Sequence, residues 1–137
     1  MCNNLTLSNL TSFSGFKVVA KKNNNYYSIA IGFKYQSGKK MFKRKKQKVI
    51  AYFGNDILRA NFSGYGGFRK EMVGRTSVFK NRKTAINLAK LIKRHLDYSK
   101  NFDIVIIKAT IKGKLYEGTY HDDTVFAGET LIIDKEI

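Results

Sequence analysis

The first 55 residues of this chain contain no aspartate or glutamate, but they contain 11 lysines and arginines. Residues 56–100 carry 11 basic and 3 acidic side chains, and residues 101–137 carry 4 basic and 7 acidic ones. The net charge of the whole chain is +16. Because uncompensated charge destabilises a compact state, this distribution restricts where the basic side chains can lie. The asymmetry indicates a polyanionic partner for one surface.

The remaining composition is that of a folded protein. Hydrophobic residues make up 43% of the chain and include ten Phe and eight Tyr, which is enough for a core. A length of 137 residues fits one domain. Residues 1–14 are rich in Asn, Ser, Thr and Leu without a clear period. We expect them to form a loosely held arm, followed by a single domain over residues 15–137.

Several classes of protein are disfavoured by the sequence. No run approaches the roughly 18–20 apolar residues of a membrane span. The first 16 residues contain no Lys or Arg, so they lack the charged start of a secretory signal. Cys2 is the single cysteine, which excludes an intramolecular disulfide and a cysteine-based zinc cluster within this chain. We expect a cytoplasmic protein without metal or cofactor.

Alternation and turn residues predict several strands. Phe16 to Lys21 and Tyr26 to Phe33 flank three asparagines, which tolerate the left-handed backbone of a tight turn. Together they predict a β-hairpin. The run from Asp103 to Lys112 contains four consecutive apolar residues, which indicates a strand buried on both faces. Shorter candidates are 48–53, 76–79, 115–120 and 130–134, whereas 57–62 fits either a strand or a helical turn.

One long helix is predicted over residues 82–96. Asn81 is a suitable N-cap, since its side chain can accept a hydrogen bond from an early helix N–H. Apolar side chains recur there at helical spacing: Ala85, Leu88, Ala89, Ile92 and Leu96. The expected fold class is therefore α+β, with a mostly antiparallel sheet packed against this helix.

The densest basic segment runs from Lys34 to Lys48, where eight of fifteen residues are Lys or Arg. Self-repulsion predicts an exposed loop over residues 36–48. The segment has three readings: a phosphate-binding loop, a loop that only aids solubility, or a nuclear localisation signal at residues 43–46. In the first reading the phosphate-binding candidates are Lys39, Lys40, Lys43, Arg44, Lys45, Lys46 and Lys48.

The predicted helix offers a second basic surface. Lys83, Lys90 and Arg94 fall on one side of it, away from the apolar stripe, and its sequence contains no acid before Asp97. This face is either merely solvated or a second surface that follows phosphates. Aromatic rings interleaved with the lysines of the acid-free segment also suit single-stranded RNA, although most of these rings belong in a core.

Groups for catalysis are sparse. A small nuclease is one option, and its candidate groups are His95, His121, Glu71 and Glu117. His121-Asp122-Asp123 is in principle a metal site, but a single such triplet is more often a polar loop. The glycines at 64–67 lack the spacing of a phosphate-binding loop. We therefore expect a protein that is not an enzyme and has no catalytic residues.

Short strings along the chain resemble small domains of phages and mobile elements. These strings include residues 16–19, 26–28, 32–35, 74–79, 107–109, 127–129 and 131–137. As a small, basic, motif-poor protein, the chain also resembles anti-CRISPR proteins, in particular inhibitors of type VI-B effectors, which cut RNA under RNA guidance. The resemblance implies competition for guide RNA, or binding to the ribonucleoprotein. It carries over no catalytic residue.

The leading hypothesis is thus a non-enzymatic inhibitor that engages guide RNA, or the RNA-guided effector protein itself, through a basic surface. An acidic protein surface is an equally suitable partner for a chain of +16. The first alternative is a general accessory protein that binds RNA or DNA, and the second is the small nuclease.

Overall fold

The structure is a computed structural model that describes residues 2–27, 34–35, 76–94, 103–120 and 122–137. Strands and one helix follow one another along these residues. Their bounds are β1 Cys2–Leu7, β2 Ser12–Lys22, β3 Asn25–Tyr27, β4 Thr76–Phe79, α1 Arg82–Arg94, β5 Asp103–Lys112, β6 Tyr116–Tyr120, β7 Asp123–Gly128 and β8 Thr130–Glu136.

The eight described strands form one antiparallel sheet. Its order is β1-β6-β7-β4-β2-β5-β8, and β3 pairs with β2 beside this path. The central ladder joins β2 to β5 over ten residue pairs, from Ser12 opposite Lys112 to Lys21 opposite Asp103. The predicted α+β class, an antiparallel sheet with one main helix, is confirmed for the described residues.

The predicted hairpin is confirmed where the structure describes it. Asn23 and Asn24 have φ angles of 51° and 63°, and β3 runs back antiparallel to β2. Positive φ at both central residues is the requirement of a type I′ turn, whose twist matches that of the flanking strands. Residues 28–33 of the predicted second strand lie outside the described residues, as do the candidates at 48–53 and 57–62.

The helix prediction is confirmed from Arg82 to Arg94, and residues 95–96 lie outside the described part. Its apolar stripe is buried at Ala85, Leu88, Ala89 and Ile92. This stripe packs on one face of the sheet, where Val18 and Ala20 of β2 and Ile104 of β5 belong to the same core cluster.

Two sequence expectations are wrong. The N-terminal residues are not all a loose arm, because Cys2–Leu7 form β1, which pairs with β6, and Ser12 already begins β2. The stretch Asp123–Gly128, for which no strand was expected, is β7. Its residues are almost all buried, so it lacks the alternation of polar and apolar residues that marks a half-exposed strand.

Alternate residues of the central strands pack on opposite faces of the sheet. Ile104 and Ile106 contact the helix-side cluster, whereas Val105 and Ile107 contact a second cluster on the opposite face. This arrangement confirms that β5 is covered on both faces. The second cluster also contains buried residues from the other strands: Val19, Val78, Phe126 and Leu131.

The shortest ladder of the described sheet joins β2 to β4. These strands share a single residue pair, Phe16 opposite Phe79. Phe13 of β2 nevertheless stacks on Phe126 of β7, with 4.1 Å between ring centroids. Gly15 permits the close approach of the two strands, since a Cβ built there would lie 2.4 Å from the Phe79 carbonyl oxygen.

Asp123 fixes the start of α1 to the sheet. Its Oδ2 accepts a hydrogen bond from the Asn81 main-chain N–H at 3.0 Å, and its Oδ1 accepts one from Asn81 Nδ2 at 2.7 Å. Oδ1 also accepts from the Thr124 N–H at 2.8 Å. The predicted N-cap residue is therefore held from outside the helix by a buried carboxylate, whose charge suits the positive end of the helix dipole.

Candidate polyanion interface

The outer face of α1 is basic along its whole length. Lys83, Lys90 and Arg94 are all exposed and, at about 100° per residue, lie within about 40° of one another around the helix axis. Arg82 and Lys93 flank them. The buried stripe occupies the opposite side, so packing against the sheet directs these cations to solvent.

Acidic side chains do not neutralise this face within the described part of the chain. The helix has no acid in its sequence, and the ion pair formed between described residues, Lys21 with Glu136 at 2.8 Å, includes no residue of the helix. We call Lys83, Lys90 and Arg94 the helix face. None of these three cations forms an ion pair with a described acid, so their charge is available to an external anion.

The structure does not test the basic segment of the sequence analysis. Lys39, Lys40, Lys43, Arg44, Lys45, Lys46 and Lys48 all lie outside the described residues. Just before them, Lys34 is exposed and Tyr35 is buried. Of the ten predicted phosphate-binding residues, the structure therefore describes the three of the helix face and brings those three together.

Tyr35 is part of a buried polar cluster and not a stacking platform. Its hydroxyl lies 3.4 Å from Thr76 Oγ1, and burial raises the pKa of this phenol. Lys17, only 6% exposed, donates from Nζ to the Ser77 carbonyl oxygen at 2.8 Å. The same Nζ lies 5.8 Å from the centre of the Tyr35 ring. This cluster links β2 to β4, whose ladder has one residue pair.

The groups considered for catalysis are not brought together by the described residues. Glu117 lies on β6, and Asp122 is exposed beside it in the turn to β7. Asp123 is occupied by Asn81 and Thr124, as described above. His95, His121 and Glu71 lie outside the described residues. Within the described ranges no three His, Cys, Asp or Glu side chains cluster as metal ligands would.

Sequence reasoning missed a further group of cations. Arg82 of α1, Lys108 of β5 and Lys135 of β8 line one hollow, although they are far apart in the chain. Their proximity depends on the strand order, which local sequence patterns do not reveal. The one local signal is Lys108, a charged residue that interrupts the apolar run of β5.

Comparisons with protein-family models, with curated protein sequences and with solved structures found no match to this chain. Among the helices that the structure describes, none has the length and apolar character needed to cross a membrane. The function is therefore inferred from the charge, exposure and geometry of the basic surface.

Proposed function

We propose that this chain is a non-enzymatic RNA-binding protein that engages RNA electrostatically through the helix face. The finer proposal, which follows the resemblance to anti-CRISPR proteins, is that it acts in the bacterial cytoplasm as an inhibitor of an RNA-guided effector. The observation that carries the first proposal is the row of three exposed cations on one side of α1, without an acid on the helix.

Such a row favours a polyanion for a general reason. Each lysine or arginine that neutralises a backbone phosphate releases condensed counterions, and this release supplies sequence-independent affinity. The helix is fixed to the sheet by its buried stripe, so its cations are presented on a rigid element. Little ordering of the backbone is then needed on binding.

The basic segment at residues 36–48 extends this proposal. With seven candidate cations it would add more phosphate contacts than the helix face. An RNA-guided effector holds its guide in a basic channel and recognises mainly backbone and shape. A second basic protein can compete for that backbone, which is a physical route to inhibition.

Titration against RNA tests the first proposal. Purified, nuclease-treated protein is titrated with single-stranded and structured RNA at several salt concentrations. We expect affinity to fall steeply with salt, with a slope of about 0.7 per phosphate contact on a single strand. Absence of binding at low salt would refute RNA binding and assign the basic surface to an acidic protein or to solubility.

Charge reversal of residues 43–46 tests the finer proposal. Replacing Lys43, Arg44, Lys45 and Lys46 with Glu is expected to abolish inhibition of a type VI-B effector while circular dichroism stays unchanged. Full inhibition by this variant would contradict the assigned role of the segment. If the wild-type protein binds free RNA as tightly as it binds the loaded effector, the general accessory role is the better description.

A further inference from the structure

A hollow of about 280 Å³ lies where the first turn of α1 meets β5 and β8. Its cationic lining consists of Arg82, Lys108 and Lys135, and the remainder of Phe16, Glu136 and Ile137. We call the three cations the basic hollow. Lys108 is half-buried, whereas Arg82 and Lys135 are exposed. The hollow is therefore open to solvent but partly shielded at its floor.

Sheet register explains why the hollow is basic. Phe16 lies opposite Lys108 in the β2–β5 ladder, and Lys108 lies opposite Lys135 in the β5–β8 ladder. Residues directly opposite one another share a face and stand about 5 Å apart at Cβ. Phe16 packs against the helix-side cluster, so the two lysines lie on that same face, beside the first residue of α1.

Two like charges directly opposite one another destabilise a ladder. Neither Glu136, which lines the hollow, nor Asp134, which precedes Lys135, forms an ion pair with Lys108 or Lys135. Glu136 Oε1 accepts hydrogen bonds from Lys21 Nζ at 2.8 Å and from the Tyr26 hydroxyl at 3.0 Å, and these bonds lower the pKa of Glu136. Asp134 Oδ2 accepts from Thr110 Oγ1 at 2.8 Å.

Among the described residues, none of the three cations of the basic hollow forms an ion pair within 4.0 Å. Arg82 is the first residue of α1, at the positive end of the helix dipole. Asp123 accepts a hydrogen bond from the Asn81 N–H at this end and contributes a negative charge there. The helix dipole therefore adds little to the positive potential of the hollow. The three cations share the lining with one carboxylate, Glu136, which is already paired with Lys21, so the hollow keeps a net positive charge.

We propose that the basic hollow binds a phosphate group, and that RNA backbone supplies it. RNA as the source of this phosphate rests on the proposed function, whereas the phosphate site itself does not. Three cations around one open hollow match the tetrahedral, multiply charged acceptor that a phosphate presents, and Arg82 can add a two-pronged contact. A bound phosphate also removes the repulsion between Lys108 and Lys135.

The test compares two double variants that lose the same charge. The hollow variant carries Lys108→Gln and Lys135→Gln. The control variant carries Lys22→Gln and Lys114→Gln, at exposed positions outside the hollow lining. Lys22 lies six residues along β2 from Phe16, or roughly 20 Å. Each variant is titrated with a short single-stranded RNA and, separately, with inorganic phosphate, which is followed by main-chain amide chemical shifts.

We expect the hollow variant to lose roughly tenfold in RNA affinity at about 0.15 M salt, with a salt slope smaller by about 1.4. The control should stay within about twofold. Inorganic phosphate should shift the main-chain amide signals of residues 82, 108 and 135 in the wild-type protein. The amide signals at the same positions should not shift in the hollow variant. Because a repulsive pair is removed, the hollow variant should melt no lower than the wild type.

The outcomes separate the two proposals. If the hollow variant binds RNA as the wild type does, the hollow does not contact RNA and the proposed function still stands. If the wild type binds no RNA but phosphate shifts these amides, the phosphate site is supported and RNA as its source is refuted. If neither RNA nor phosphate affects the hollow, the inference is overturned.

Discussion

Replacing Lys83, Lys90 and Arg94 together with Gln is expected to lower RNA affinity roughly 50-fold at about 0.15 M salt. Three phosphate contacts at about 0.7 of salt slope each account for this loss, and the slope itself should fall by about 2. Since all three residues are exposed and Gln is a good helix former, the fold should remain intact. Fluorescence anisotropy at several salt concentrations measures both quantities.

A matched control removes three exposed lysines that lie off the helix: Lys22, Lys112 and Lys114. If affinity depended only on net charge, this control would lose as much affinity as the helix-face variant. We expect a loss of no more than about threefold. Equal losses in the two variants would contradict the assignment of RNA binding to the helix face and would leave a diffuse charge effect.

Gly15→Ala is expected to destabilise the folded protein by about 3 kcal/mol, the upper end for overpacking a tightly packed site. The new methyl group would lie 2.4 Å from the Phe79 carbonyl oxygen and 2.9 Å from Val78 Cγ2. A carbonyl oxygen within a strand cannot rotate away, so β2 and β4 must separate. Urea unfolding should show a lower midpoint with an unchanged m-value.

Gly128→Ala is the comparison for this variant. The nearest atom to its new Cβ is Leu115 Cδ2 at 2.7 Å, which is the end of a flexible side chain. The main-chain contact there, with the Lys112 carbonyl oxygen, is 3.3 Å and needs only a small adjustment, so the expected cost is about 1 kcal/mol. If Gly15→Ala were as stable as Gly128→Ala, the close approach of β2 and β4 would not be a constraint on the fold.

Elements with a strong local pattern were predictable from the sequence. The asparagine turn, the apolar stripe of α1 and the apolar run of β5 each have a local physical cause, and all three are confirmed for the described residues. β1 and β7 were missed for opposite reasons. β1 has a weak pattern and gains its order from pairing with β6, whereas β7 is so buried that its two faces are alike.

The two candidate sites also differ in whether local sequence patterns could predict them. The helix face follows from helical spacing within 13 residues, so the sequence alone could place its three cations together. The basic hollow combines residues 82, 108 and 135, and only the register of β5 with β8 brings its two lysines opposite one another. Whether this surface binds RNA stays a prediction, since spacing determines where charge lies and not which anion it meets.

The long ladder between β2 and β5 also has a consequence for folding kinetics. Ser12 pairs with Lys112, a separation of 100 residues, and β1 pairs with β6, which lies still later in the chain. Contacts of this range close large loops, and proteins dominated by them fold in milliseconds to seconds. During synthesis β2 therefore emerges well before its main partner. We expect the mutual repulsion of the basic side chains in residues 1–55 to oppose premature collapse of this part of the chain.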